Sequence, residues 1–181
     1  DRRRFSFPNE TRSLPFEENS LEDRVFSSFV GEVPTEMQAM MVNPGGSGYA
    51  SASGLAALGS ILAEKGISQG VRILSESIVE EALKEQVHGH CHCIGELRYG
   101  LGIGLASEKL LGFRYPGPET AMWGGFGGQF LFVDPTTEVA VGYATNLLLV
   151  DDFDGENWTG PQSDRQNRMF DAYAEVRRAI A

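Results

Sequence analysis

The chain has 181 residues, 41% of them hydrophobic, and its 15 Lys and Arg against 25 Asp and Glu give a formal charge of −10. These values are typical of one soluble globular domain. No apolar run approaches the roughly 20 residues that cross a bilayer, so no membrane span is expected. An acidic surface repels phosphates, and the basic residues at 2–4 and 177–178 lack interleaved aromatic residues, so nucleic-acid binding is not expected either.

The rare residues exclude several kinds of catalytic site. Lysine occurs at three positions, and the residues three places before Lys65, Lys84 and Lys109 are Leu62, Glu81 and Ala106. The chain therefore contains no Ser-x-x-Lys nucleophile motif. It also lacks the Gly-Lys pair of a phosphate-binding P-loop and the Gly-x-Ser-x-Gly nucleophile elbow.

The amino-terminal part predicts an irregular arm followed by a short helix. Residues 1–19 mix charge, proline and polar residues without a period, although Phe5, Phe7 and Phe16 favour burial. A helix is predicted from Ser20, which acts as N-cap with Asp23 three residues later, and it is expected to end near Gly31.

Three further helices are predicted from their caps and apolar spacing. One begins at Ser51 or Ser53, carries an apolar stripe and ends at Gly66; a second begins at the Ser75 cap, and the two are expected to pack together. The closing helix is predicted to begin at Ser163. The three predicted stripes are, in chain order, Leu55, Leu58, Ile61 and Leu62; Ile78, Val79, Ala82, Leu83 and Val87; and Met169, Phe170, Tyr173, Val176, Arg177 and Ile180.

Between the second and the closing helix the period changes to two. Apolar residues alternate with glycines over Leu97 to Leu105, which predicts a strand with one face close to a neighbour. Three more strands are predicted over Ala121 to Phe126, Gln129 to Val133 and Val139 to Thr145, the last two joined by a turn at Asp134-Pro135-Thr136-Thr137. The order of helices, antiparallel meander and helix predicts an α+β fold in which the sheet packs against helices.

The glycine-rich stretch from Met122 to Pro135 is the most informative part of the chain. Glycines at positions 124, 125, 127 and 128 fall inside a strand pattern, where each costs about 0.5–1 kcal/mol relative to alanine. Two interpretations are open: a strand edge against which a substrate lies, or a bulged strand packed tightly beneath a helix.

Four segments, in order, resemble the beta-lactamase-related serine hydrolases, which include class C beta-lactamases, D-alanyl-D-alanine carboxypeptidases and other penicillin-binding proteins, esterases and transesterases. The resemblance covers roughly residues 36–146. Its segments are Pro44-Gly45-Gly46 with Ser51-Ala52-Ser53-Gly54-Leu55; Gly66 with Gly70-Val71-Arg72-Ile73-Leu74-Ser75; Tyr99-Gly100-Leu101-Gly102-Ile103; and Trp123-Gly124-Gly125-Phe126-Gly127-Gly128 running into Val133-Asp134-Pro135 and ending at Asn146.

The resemblance implies a substrate site at the fourth segment. Trp123-Gly124-Gly125 matches the family's third motif, which is Lys-Thr-Gly in the beta-lactamases, and is similar to the version in esterase and transesterase members. By that match Trp123 lines the cleft, Gly124 and Gly125 contact the substrate, and the Phe126 backbone N–H donates to an oxyanion. Without Lys or His at position 123, a penicillin-type substrate carboxylate has no ionic partner.

The family's nucleophilic Ser-x-x-Lys and its Tyr-x-Asn-type motif, which precede the matched segments, are absent here. Residues 1–35 are too few to hold the missing elements. The chain, which begins with Asp1, is therefore expected to be the carboxy-terminal portion (36–181, after the arm 1–35) of a transpeptidase-like hydrolase that cleaves small esters or amides, inactive by itself. The alternative is a non-catalytic binding or regulatory module on the same scaffold.

All three histidines and both cysteines lie in one short stretch, and any histidine-based catalysis would have to use it. The stretch consists of His88, His90, Cys91, His92 and Cys93. Its ligand types suit zinc or copper, but the spacing does not match a closed structural site, so an ordinary loop is favoured and neither metal nor cofactor is predicted. A Cys91–Cys93 disulfide would be strained. The compartment and the oligomeric state stay open.

Overall fold

The computed structural model describes residues 17–21, 23–24, 48–91, 95–107, 115–125, 127–147, 152–153 and 158–180. Within these ranges the helices are α1 (Ala52–Ala63), α2 (Glu76–Ala82) and α3 (Pro161–Ile180). The strands are β1 (Ile67–Ser68), β2 (Val71–Arg72), β3 (Val87–Cys91), β4 (Gly95–Tyr99), β5 (Gly104–Leu105), β6 (Ala121–Gly124), β7 (Phe130–Asp134), β8 (Val139–Tyr143), β9 (Asp152–Phe153) and β10 (Trp158–Thr159). No helix in these ranges is both long and apolar enough to cross a membrane.

The predicted α+β fold and its antiparallel meander are confirmed. Strands β3 to β8 form one six-stranded sheet in chain order, and every neighbouring pair is antiparallel. Strands β1 and β2 form a separate two-stranded ribbon, as do β9 and β10. The sequence order of helices, sheet and closing helix therefore matches the structure.

The alternation of side chains along β7 places a hydrophobic core on each face of the sheet. Leu131 and Val133 point to one face, where they pack with Ala63 of α1. Phe130 and Phe132 point to the other face, where they pack against Phe170 of α3. Because successive strand residues face opposite sides, the molecule is layered as α1, sheet and α3.

Helix α1 approaches the sheet closely because small residues line the contact. Ser51 is its N-cap, accepting the N–H of Gly54 at 3.1 Å as predicted. A methyl group at Gly142 of β8 would lie 2.6 Å from the Ala56 nitrogen and 2.7 Å from Leu55 Cβ. Helix α1 therefore packs on β7 and β8 rather than mainly on α2, contrary to the expected helix pair, and Leu58 of the predicted stripe is exposed.

Helix α2 begins at the predicted cap, since Ser75 accepts the Ile78 N–H. It is shorter than its predicted stripe, however, because Val87 belongs to β3, and Ile78 lies exposed while Val79 is buried. The prediction of a loop for the histidine-rich stretch after α2 is therefore wrong over residues 88–91. Residues 87–91 pair with β4 along their whole length, so the two-residue alternation of histidines marks a strand.

The strand expected over Leu97 to Leu105 is interrupted in its middle. The chain turns at Gly100, whose N–H donates to the Ile103 carbonyl, so β4 and β5 are separate strands. Leu101 lies in this turn and is exposed, whereas Ile103 and Leu105 are buried. The expected close approach is confirmed at Gly100, where an added methyl would overlap the Ala82 carbonyl oxygen and lie 3.2 Å from its carbon.

The two ends of the chain agree with the sequence in part. Ser20 accepts the Asp23 N–H at 3.1 Å and so caps a helical turn as predicted; Phe5, Phe7, Phe16 and the boundary at residue 35 lie outside the described residues. Helix α3 begins at Pro161, two residues before the predicted Ser163 cap, because proline has the backbone angle of a first helical position. Val176 and Ile180 of its predicted stripe are exposed.

A buried carboxylate joins α3 to the end of β7. Asp134 is fully buried and accepts hydrogen bonds from Arg177 Nε at 2.7 Å and from the Tyr173 hydroxyl at 3.0 Å. The backbone N–H of Thr136 donates to its other oxygen at 3.0 Å. Burial alone would raise the pKa of Asp134, but these hydrogen bonds outweigh it, so the pKa lies below its usual range.

The Asp134→Asn substitution should lower the free energy of unfolding by about 2–3 kcal/mol at pH 7, because it leaves Arg177 without its buried partner. The ionised carboxylate stabilises the fold above its unfolded pKa of about 3.9 and ceases to do so as the pH falls through the lower folded value. Urea unfolding should therefore show a difference between the two proteins that shrinks on acidification. An equal difference at pH 7 and pH 2 would contradict this assignment.

Candidate functional site

The four glycines singled out in the sequence lie at a connection between two strands. Strand β6 ends at Gly124 and β7 begins at Phe130, and the N–H of Gly125 donates to the Gln129 carbonyl at 2.8 Å. Residues 124–129 are called the glycine hairpin below. Strand β7 begins one residue after the predicted Gln129, and Phe126, the predicted end of the preceding strand, lies outside the described residues.

The glycines of this hairpin serve two different purposes. Gly127 and Gly128 have φ values of +95° and +101°, a backbone conformation in which other residues are strained. Gly124 and Gly125 have no such angle. A methyl at Gly124 would sit at ordinary contact distance, 3.5 Å from the Gln129 carbonyl, and one at Gly125 would meet no described atom within 4 Å.

This difference bears on the two interpretations of the glycine-rich stretch. Tight packing beneath a helix would require a glycine at both Gly124 and Gly125, yet the packing of the described residues leaves room for a side chain there. Beyond Met122, the last β6 residue that pairs with β5, the end of β6 pairs with β7 alone, and the neighbouring Gly125 is exposed. On its β5 side, the strand edge at Trp123 and Gly124 thus has no pairing partner among the described residues.

Two aromatic residues form a wall next to this edge. Trp123 is 39% exposed, and its ring meets Tyr99 of β4 edge-on with 4.9 Å between centroids. Burial, with a smaller contribution from Cys91, raises the pKa of Tyr99 to about 12. The Tyr99 phenol is therefore protonated at neutral pH and can donate a hydrogen bond but cannot act as a general base there.

Tyr115 is a second tyrosine with a raised pKa, and burial is again the main cause, with Tyr99 contributing. It packs against the core cluster of Phe130 and Phe170, and its buried hydroxyl has no hydrogen-bond partner within the described ranges. Like Tyr99, it stays neutral at pH 7. Neither tyrosine thus supplies a base.

Helix α3 supports the hairpin from the other side of β7. Arg165 Nη2 donates to the Gly127 carbonyl at 3.3 Å, and Gln166 Nε2 donates to the Gly128 carbonyl at 3.2 Å. The Arg165 guanidinium also lies over the Tyr143 ring, 5.2 Å from its centroid. Two consecutive carbonyls of the hairpin are therefore hydrogen-bonded to side chains of α3.

The histidine- and cysteine-rich strand β3 pairs with β4, where Val87 is opposite Tyr99, but it is not adjacent to β6. Strand β3 is three positions from β6 in the sheet, a separation of about 14 Å at the usual strand spacing. His88 Nε2 lies 3.1 Å from Glu96 Oε1 across the β3–β4 pair, and Cys91 carries a free thiol. No group of three or more ligand side chains in the described ranges could hold a metal ion; His92 and Cys93 lie outside them.

The structure brings the predicted substrate-binding residues Trp123, Gly124 and Gly125 together at the end of β6, while the predicted oxyanion donor Phe126 lies outside the described residues. Sequence reasoning missed the contribution of Tyr99, although that residue opens one of the matched segments. It also missed Gln166, for which no local pattern exists, because its partner is 38 residues away.

Solved structures with a similar fold were found, whereas no protein-family model and no curated protein matches the chain. A family VIII carboxylesterase is 26% identical with a TM-score of 0.51, over 68% of this chain and 30% of that one. A penicillin-binding protein homolog from Caulobacter crescentus is 24% identical with a TM-score of 0.51, over 80% of this chain and 41% of that one.

These similarities confirm the resemblance to the beta-lactamase-related serine hydrolases at the level of the fold. The chain spans 30% of the length of the first of these proteins and 41% of the second. The described residues contain the six-stranded sheet and the helices α1 and α3 that cover its two faces.

If the open edge at Gly125 has no structural requirement for glycine, Gly125→Ala should change the free energy of unfolding by less than about 1 kcal/mol. The matched substitution Gly142→Ala should destabilise by about 1–3 kcal/mol, because its methyl collides with α1. Thermal unfolding followed by circular dichroism compares the two variants. A loss at Gly125 as large as that at Gly142 would show that packing requires the glycine.

Proposed function

We propose that the chain is the carboxy-terminal part of a serine hydrolase that cleaves small esters or amides through an acyl-enzyme. The nucleophilic serine and its lysine would belong to a part of the enzyme outside this sequence, which has no Ser-x-x-Lys. The described residues would contribute one wall of the substrate cleft. By itself the chain would then be inactive.

The observation that carries this proposal is the open strand edge at Gly124 and Gly125. Glycine at both positions leaves room that the described packing does not use, beside a half-exposed tryptophan. A substrate carbonyl or chain can approach a strand edge of this kind. The fold similarity to a carboxylesterase supports the same assignment.

In the complete enzyme the serine oxygen would attack the carbonyl carbon of the ester or amide. The alcohol or amine would leave with a proton, and water would then release the acid from the acyl-enzyme and return the serine. The chain's own contribution is positional: Trp123 and Tyr99 would bound the acyl or leaving group, and the glycine edge would lie along it. By the resemblance, the N–H of Phe126 would donate to the oxyanion.

The chemistry of the wall favours an uncharged substrate. The residue at position 123 is tryptophan, so the charge-assisted contact that a substrate carboxylate would need is absent there. The neighbouring Tyr99 is neutral at physiological pH. Neutral aliphatic or aromatic esters suit an aromatic wall better than penicillin-type carboxylates.

The isolated chain should give neither covalent labelling with a fluorophosphonate probe nor turnover of a chromogenic ester, because it lacks the Ser-x-x-Lys pair. A family VIII carboxylesterase treated in parallel provides the positive control. Labelling would be followed by intact-mass spectrometry and turnover by absorbance. Stoichiometric labelling of any serine in this chain would contradict the proposal.

A further inference from the structure

The carbonyls of the glycine hairpin are held by two adjacent side chains of α3. Arg165 donates to the Gly127 carbonyl and Gln166 to the Gly128 carbonyl, at 3.3 and 3.2 Å. Both glycines have positive φ, so their carbonyl directions differ from those of a continuous strand. The two side chains therefore bind carbonyls whose directions are set by the positive φ of the two glycines.

These contacts are coupled to the open edge through the backbone. The N–H of Gly128 donates to the Gly125 carbonyl at 3.1 Å, and the N–H of Gly125 donates to the Gln129 carbonyl at 2.8 Å. The Gly128 N–H shares a peptide group with the Gly127 carbonyl that Arg165 binds, so Arg165 is linked to Gly125 through that group. Gln166 binds the carbonyl of the next peptide group, which precedes Gln129, the residue whose carbonyl accepts the Gly125 N–H. A rotation of the 127–128 peptide group would therefore disturb the hydrogen bond to the Gly125 carbonyl, and a rotation of the 128–129 group would shift Gln129, which accepts the Gly125 N–H.

The polar contacts at this junction carry an energetic cost. Gln166 is fully buried, and its Oε1 has no hydrogen-bond partner; the same holds for Gln129 Oε1 and Arg165 Nε, all within the described part of the chain. A buried polar atom without a partner costs about 1–3 kcal/mol. An apolar side chain at Gln166 would avoid that cost, so its amide is better explained by the carbonyl it holds than by stability.

We propose that Gln166 and Arg165 are positioning residues that fix the glycine hairpin and, through it, the orientation of the strand edge at Gly124–Gly125. They do not touch the substrate. Their role is to keep the backbone of Gly124 and Gly125 in the orientation that a bound substrate would contact. The functional meaning of this geometry rests on the hydrolase proposal above, whereas the mechanical link between α3 and the hairpin does not.

The test uses amide NMR of the ¹⁵N-labelled chain without any substrate. Gln166→Met keeps the volume of the side chain but removes its donor, so the amide signals of Gly125 and Gly128 should shift and their hydrogen exchange should accelerate by about tenfold. Tyr173→Phe is the matched control on the same helix: it removes hydrogen bonds to Asp134 and Thr137 at the far end. It should lower the unfolding midpoint while leaving the hairpin signals in place.

Arg165→Met provides a second variant, which we expect to fold because Arg165 is only partly buried. It should move the Gly127 and Gly128 signals without a large change in stability. The proposal is overturned if Gln166→Met and Arg165→Met perturb the hairpin glycines no more than Tyr173→Phe does. Because no activity is measured, this outcome is independent of whether the hydrolase proposal holds.

Discussion

The ion pair between buried Asp134 and Arg177 is the interaction on which the arrangement of the closing helix depends. It joins the end of β7 to the carboxy-terminal half of α3, and Tyr173 reinforces it. Arg177 follows Gln166 by eleven residues, close to three helical turns, so both side chains lie on the same face about 16 Å apart along the axis. Phe170 lies between them and packs against the sheet.

Gln166, Phe170 and Arg177 thus lie along one face of α3 and contact β7 or the segments at its two ends. At its first end Gln166 holds the glycine hairpin, and at its second end Arg177 holds the turn after the strand. These two contacts fix where α3 lies along β7 as well as how far it is from the sheet. The end of β6 beside Trp123 is thus connected through the hairpin to α3, while the packing of the described residues leaves room for a side chain at Gly125.

Local sequence patterns predicted most helices and strands, whereas the roles of the glycines and the pairing of β3 depend on residues distant in the sequence. Ser51 and Ser75 begin helices as expected because a cap and an apolar stripe are both encoded within a few residues. Glycine could not be assigned a role in the same way: Gly125 beside open space and Gly142 beneath α1 look alike in the sequence. Strand β3 was missed because it lacks an apolar alternation. Its backbone pairing with β4 is what makes it a strand.

The claim that the Gly124–Gly125 edge is a substrate contact is tested most directly by titrating the ¹⁵N-labelled chain with a neutral, non-activated ester such as ethyl phenylacetate. Saturable shifts of the Trp123, Gly124 and Gly125 amides, together with the Trp123 indole signal, are the predicted result, with no hydrolysis of the ester. Shifts confined to the histidine-rich strand β3, or none at saturating ester, would contradict the account.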